Sequence, residues 1–131
     1  MGSTRLPGKM LLELNNQPVV SWIYLRMKRC KMLHQLVFAI PQSDENDILE
    51  KSLRSMGADV IRGSENDVLD RYIKAINITG GDNVIRICGD NPLISWEAVD
   101  LMVQEHLSNQ ADYTYNHIPL NNLWPDGLGA E

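Results

Sequence analysis

Near the start of the chain, Gly2-Ser3-Thr4-Arg5-Leu6-Pro7-Gly8-Lys9 combines glycines with two cations. The glycines let the backbone approach a ligand closely, and its N–H groups can point at anionic oxygens. Arg5 can grip phosphate with two parallel hydrogen bonds, and Lys9 adds a compact positive charge. A well-placed charge-assisted bond contributes about 1.5–3 kcal/mol. Triphosphate binding and departure of pyrophosphate both need such equipment. The loop is not a Walker A motif, because five residues separate Gly2 from Gly8 and Met10 follows Lys9. Nor is it a dinucleotide-binding fingerprint. The composition also fits a surface turn with two scattered basic residues, and both readings stay open here.

Gly89-Asp90 follows an apolar run that ends at Cys88. A carboxylate at the carboxyl end of a strand sits where open α/β sheets bind ligands. Its hard oxygens suit Mg2+, which one or two carboxylates and substrate phosphates commonly hold. The residue types alone favour a Gly-Asp-Asn-Pro turn. Gly63-Ser64-Glu65-Asn66-Asp67 leads into Val68-Leu69-Asp70-Arg71 at a strand-to-helix junction. Asp67 and Arg71 are four apart and share a helix face. They could contact a base or ribose, but spacing alone favours a cap and a surface ion pair. His34, His106 and His117 show no metal-ligand spacing with each other or with either cysteine. Arg26 to Lys31 reads as a solvated basic helix face.

The elements that must position these residues alternate. A short apolar stretch, Met10 to Leu14, closes at Asn15-Asn16. Pro18 opens a helix on which Val19, Trp22, Ile23, Met27 and Cys30 recur at helical spacing. Leu36 to Ile40 reads as a strand buried on both faces. Ser43 or Asp44 caps the next helix, which turns Ile48, Leu49, Leu53 and Met56 inward and closes at Gly57. Ala58 to Ile61 is a second strand. Val68, Leu69, Tyr72, Ile73 and Ile76 mark a helix stopped before Gly80-Gly81. Asn83 to Cys88 is a third strand. Ser95 caps a helix with Val99, Leu101, Met102 and Leu107 as its apolar positions. Asp112 to Tyr115 reads as a fourth strand, and the tail, with Pro119 and Pro125, as loop. Alternating strands and helices predict a parallel α/β sheet. A phosphate-cradling loop normally follows a strand, and none precedes this one. The chain also closes on Gly127-Leu128-Gly129-Ala130-Glu131. Both ends therefore read as cut, and residues 1–131 as one partial domain.

With 131 residues, 44% hydrophobic and 22% charged, the chain has a globular composition and enough length for a core. A net charge of -5 argues against a general nucleic-acid binder. Cys30 and Cys88 make no disulfide framework in a chain of this size. No apolar run approaches a membrane span, and no secretory signal opens the chain. A reducing, cytoplasmic compartment is the expectation.

Four segments in order carry a resemblance: residues 1–9, Gly63 to Tyr72, Arg86 to Ile94, and Trp124-Pro-Asp-Gly-Leu128. Together they resemble the acylneuraminate cytidylyltransferase-like proteins, in particular the spore-coat polysaccharide biosynthesis cytidylyltransferases. The opening loop is also similar to that of the CMP-KDO synthetases. The resemblance implies a three-layer α/β/α, Rossmann-like fold of the nucleotide-diphospho-sugar transferase type, with a mostly parallel sheet. It implies transfer of CMP from CTP to a sugar acid or related acceptor, with release of pyrophosphate aided by Mg2+, for cell-surface polysaccharide synthesis. By this resemblance Arg5 and Lys9 hold the triphosphate and act in catalysis. The N–H groups of Gly2 and Ser3 cradle phosphate, Asp67 and Arg86 lie near the nucleoside, and Asp90 is one metal ligand. It also implies a homodimer in the full-length family, with no nucleic-acid or membrane partner.

The chain departs from the family pattern at its start. Family members carry a hydrophobic strand and an Ala-Arg pair just before the position of Met1, and that strand is central in their sheet. The nucleotide-binding half is thus the part this chain matches. Two other readings stay open: a truncated non-catalytic nucleotide-binding or interaction module, and a nucleotidyltransferase acting on a sugar-1-phosphate.

Overall fold

Asn15 and Asn16 both take positive φ, 51° and 62°. Asparagine tolerates that region, and two such residues in succession form the tight turn that suits a β-hairpin. The hairpin follows directly: β1 (Glu13–Leu14) pairs antiparallel with β2 (Gln17–Pro18). The computed structural model describes residues 6–116 and 130–131. The expected tail loop and the Trp124–Leu128 motif lie outside them.

Pro18 precedes helix α1 (Val19–Met27), whose buried residues include Val20, Ile23, Tyr24 and Met27. Cys30 falls beyond its end. The helix divides its apolar surface. Val20 and Tyr24 join Ile40, Leu49, Leu53, Ala58 and Val60 in one core cluster. Ile23 and Met27 join Ile94, Val99, Met102 and Val103 in a second. The basic residues that follow are not merely solvated, as the sequence suggested. The Arg29 guanidinium lies 3.6 Å from the Trp96 ring centroid, and Arg26 Nε donates to the Ile94 carbonyl at 2.6 Å. These contacts pin the end of α1 to the start of the last helix.

Strand β3 (Val37–Pro41) pairs in parallel with β4 (Asp59–Gly63), Val37 opposite Asp59 and Pro41 opposite Gly63. The link is a right-sized crossover, a 3-10 turn (Asp44–Asn46) and helix α2 (Asp47–Ser55). Neither Ser43 nor Asp44 caps α2 through its side chain. The intervening 3-10 turn displaces both from the cap position, which falls to Asn46. Leu49 and Leu53 point into the core, but Ile48 is 68% exposed. It lies next to Leu49 in sequence, one residue off the inward stripe.

Helix α3 (Val68–Thr79) packs on both β3 and β4, yet none of its residues is fully buried. Along β3, Phe38 and Ile40 contact the cluster shared by α1 and α2. Val37 and Ala39 alternate with them and line a cavity with Tyr72, Ala75 and Ile76 of α3. Successive side chains of a strand point to opposite faces, so α1 and α2 cover one face and α3 the other. This is the expected three-layer α/β/α arrangement with parallel pairing. Helix α4 (Trp96–Asn109) completes the second cluster, with Ala98, Val99, Met102 and Val103 buried. Ser95 caps it by accepting from the Ala98 N–H at 3.2 Å. Leu101 and Leu107, expected inward, are about half exposed. No helix among the described residues is long and apolar enough to cross a membrane.

The expected third strand is corrected. Residues 84–88 form no ladder with β3 or with any other strand among the described residues. Arg86 alone exchanges two backbone hydrogen bonds, both with Glu131. An extended backbone alternates its N–H and C=O groups between two edges. With Arg86 turned toward Glu131, the peptide groups of Ile85 and Ile87 point the other way. Two clefts of about 430 and 580 Å³ lie on that side, and Leu36, Val37, Ala39, Ile85 and Ile87 line both. A slot thus separates β3 from this segment, which explains why a strand-like sequence forms no sheet here. The expected fourth strand, Asp112 to Tyr115, is likewise absent, and Asn116 instead bonds Ala130.

Candidate active site

Gly8 has φ 68°, a conformation that favours glycine, and it turns the chain into the 3-10 helix Lys9–Leu11. The Leu11 N–H closes the turn on the Gly8 carbonyl at 2.9 Å. Opposite lies a second turn, in which the Asn91 N–H donates to the Cys88 carbonyl at 3.2 Å. Gly89 in this turn meets Met10 at close range. A Cβ added to Gly89 would lie 2.8 Å from Met10 Cε, so a larger residue there would push the end of the Met10 side chain aside. Across this contact Lys9 Nζ reaches Asp90 Oδ2 at 2.5 Å.

The pair stands at one end of the larger cleft, beside Pro41, Arg71 and Arg86. Pro41 ends β3 and Gly89-Asp90 end the extended segment, so this is the carboxyl end of both. Ligands bind at that end in open α/β sheets. The cleft brings together apolar side chains, among them Ile23, Met27 and Ile40, and the charged Lys9, Arg71, Arg86 and Asp90.

Arg86 is committed on several sides. Its guanidinium pairs with the Glu131 carboxylate and hydrogen-bonds Tyr72. Burial pushes the Tyr72 hydroxyl above its ordinary pKa, against the opposing pull of the Arg86 charge. Tyr72 therefore stays a neutral hydroxyl at neutral pH. Arg71 is a residue whose place in the cleft its spacing did not disclose. Its Nη1 donates to the Ser64 carbonyl at 2.5 Å and the Glu65 carbonyl at 3.3 Å. It does not pair with Asp67. Gly63 makes room for it, since a Cβ there would sit 3.0 Å from Arg71 Cγ. That glycine, ending β4 eight residues before Arg71, was the available signal.

Asp67 sits at the N-cap of α3 and accepts from the Asp70 N–H at 3.0 Å. It does not line the cleft with Lys9, Arg86 and Asp90. Gly2, Ser3 and Arg5 lie outside the described residues. No group of three or more His, Cys, Asp or Glu side chains gathers among the described residues. Asp90 alone offers a half-exposed carboxylate at the cleft mouth. One carboxylate completed by phosphate oxygens and waters is a set that fits Mg2+.

Residues 1–119 match the family model described as cytidylyltransferase. The chain belongs to the cytidylyltransferase family. The cytidylyltransferase-family chain is 39% identical over 119 residues to the spore coat polysaccharide biosynthesis protein SpsF of Bacillus subtilis, covering 88% of this chain and 50% of that protein. It is 30% identical over 106 residues to the 3-deoxy-manno-octulosonate cytidylyltransferase of Bdellovibrio bacteriovorus, covering 79% and 41%. Among solved structures, a cytidylyltransferase of Leptospira borgpetersenii superposes with a TM-score of 0.89 at 32% identity, over 99% of this chain and 55% of that one. A CMP:2-keto-3-deoxy-manno-octonic acid synthetase complexed with CTP superposes with a TM-score of 0.73 at 24% identity, over 84% and 45%, and supports the fold. The chain spans about half the length of the relatives it matches.

Proposed function

We propose that the protein carrying this chain transfers CMP from CTP to a sugar acid and releases pyrophosphate. The observation that carries the reading is the meeting of Lys9 and Asp90 at the carboxyl-end cleft, one cation and one carboxylate from distant parts of a cytidylyltransferase-family chain. In this reaction an acceptor oxygen bonds to the α-phosphorus. The bond from that phosphorus to the α,β-bridging oxygen breaks, and its electrons leave with pyrophosphate. Lys9 offsets the charge that builds on the leaving group, and Arg5, four positions earlier in sequence, adds a second cation. The backbone N–H groups of Gly2 and Ser3 complete the phosphate cradle by resemblance. Asp90 would hold Mg2+, which when bound screens phosphate charge and polarises the reacting phosphorus.

Catalysis of this kind rests on positioning and electrostatics, and it asks for no nucleophilic side chain. Arg86 and Asp67 are assigned to the nucleoside side by the same resemblance. Arg86, at the cleft, has the better support of the two. Relatives named for eight-carbon sugar acids support the acceptor class, and the spore-coat relative supports a polysaccharide pathway. The test is pyrophosphate release with CTP, ATP, GTP and UTP against sugar acids and sugar-1-phosphates. Release confined to CTP and a sugar acid is the expected result. Release only with a sugar-1-phosphate, or with another nucleotide, would overturn it.

A further inference from the structure

We propose that Arg71 reads the base of the nucleotide: the edge of its guanidinium that carries Nε–H and Nη2–H donates to O2 and N3 of cytosine and so selects CTP over UTP. The inference rests on the cytidylyltransferase reading of the cleft and names the residue that chooses its nucleotide.

Three observations carry it. First, Arg71 Nε is buried and has no hydrogen-bond partner among the described residues. A buried donor of this kind has lost its water without gaining an acceptor, and a ligand that brings one removes the penalty. Second, the guanidinium is held in place from its other side. Nη1 donates to the Ser64 carbonyl at 2.5 Å and the Glu65 carbonyl at 3.3 Å, and the stem packs close on Gly63. A fork fixed in this way is set before the ligand arrives, so little ordering is left to do on binding. Third, Arg71 lines the cleft together with the aromatic Phe38 and Tyr72 and the apolar Met10, Ile40 and Val68. Walls of this kind suit a flat ring with a polar edge better than a bare carboxylate, whose full charge would lose its water there.

The choice of base follows from the donor pattern. Two adjacent N–H groups on one edge of a guanidinium match two adjacent acceptors. Cytosine offers such a pair in O2 and N3. Uracil carries a hydrogen on N3, so one donor of the fork would face another. A site built on such a match rejects the analogue that lacks it, because its buried donor is then left unpaired. Arg86, the other arginine that lines this cleft, is engaged by Glu131 and Tyr72.

The experiment compares CMP, UMP and 3-deazacytidine monophosphate, which carries C–H in place of N3, by titration calorimetry. The wild-type chain is expected to bind CMP about tenfold more tightly than either of the others, which equals about 1.4 kcal/mol. Arg71→Lys keeps the charge but removes the fork. It is expected to lose that factor for CMP and to leave UMP unchanged, so the preference disappears. A role confined to bracing the loop after β4 would weaken CMP and UMP alike, and that result would overturn the proposal. An unchanged preference for CMP with weaker binding of the sugar acid would also overturn it and place a carboxylate on Arg71. The 3-deaza comparison needs only the wild-type chain, so it decides the matter even where Arg71→Lys fails to fold. Equal affinity for CMP and its 3-deaza analogue would sink the assignment of Arg71 and leave the cytidylyltransferase reading standing. Failure of the wild-type chain to bind CMP or CTP at all would sink both.

Discussion

Lys9 Nζ lies 2.5 Å from Asp90 Oδ2, although 81 positions separate the two residues in sequence. The contact joins the loop before the hairpin to the turn after an extended segment. It brings together two segments that each also read as an ordinary turn.

Loss of the Lys9 charge should weaken the nucleotide through its phosphates. Lys9→Ala is expected to reduce CTP and pyrophosphate affinity about tenfold or more, as removal of a charge-assisted bond of about 1.5–3 kcal/mol requires. Cytidine affinity should stay unchanged. Titration calorimetry with the three ligands checks this, and an equal loss for cytidine would show that Lys9 shapes the pocket as a whole.

Asp67 separates a structural from a nucleoside role. Its side chain accepts from the Asp70 N–H, so Asp67→Ala should lower stability by about 1 kcal/mol. Asp67→Asn or Asp67→Ser should restore most of it, since either can cap the helix. Unchanged CTP affinity in these variants would withdraw Asp67 from the site.

The two cysteines should behave differently. Cys30 is pushed up to about pKa 11, chiefly by burial and then by the charges of Asp100 and Glu97. Its thiol stays protonated at pH 8, whereas Cys88 is exposed. Mass spectrometry after brief alkylation at pH 8 should find label on Cys88 only. The folded pKa of Cys30 lies above the value of 9.0 for a free thiol, so the unfolded chain ionises first. Stability should therefore be unaffected by this group below pH 9 and should fall between pH 9 and 11. A stability that rises across that window would contradict the assignment.

The slot between β3 and residues 84–88 should control cooperativity. Peptide groups of Ile85 and Ile87 face it, and β3 pairs only with β4 among the described residues. Their amides should exchange with solvent faster than those of α1. A five-residue apolar extended segment fused ahead of Gly2 should raise the melting temperature by about 5 °C or more if it pairs there. A fused segment that contains proline at its centre should not, because proline removes a ladder donor. Equal melting of both fusions would show that the slot does not take a strand.

Much of the fold was legible because its signals are local. Asn15-Asn16, Pro18, Gly57 and the Ser95 cap each act through their own backbone, so the turn, the start of α1, the end of α2 and the start of α4 fall where the residue types put them. The apolar run around β3 and the helical spacing of Leu49 and Leu53 likewise found the core. The misses have the opposite origin. Val84 to Cys88 has strand composition, but a strand needs a hydrogen-bonded neighbour, and composition cannot say whether one is present. Ile48, Leu101 and Leu107 are apolar and face out, because burial depends on what the rest of the fold brings alongside.

The opening glycines, Lys9 and Asp90 were visible as candidates from residue type alone, and with the later motifs they pointed to one family. The sequence by itself determined which residues are candidates for that chemistry, since the capacity for phosphate and metal recognition is a property of side chains and backbone N–H groups. Only the tertiary structure decided that Lys9 closes on Asp90, that Arg71 lines the same cleft, and that Asp67, whose capping role its spacing did suggest, lies away from that cleft. Those relations depend on packing between segments far apart in the chain, and no local spacing encodes a distance of that kind.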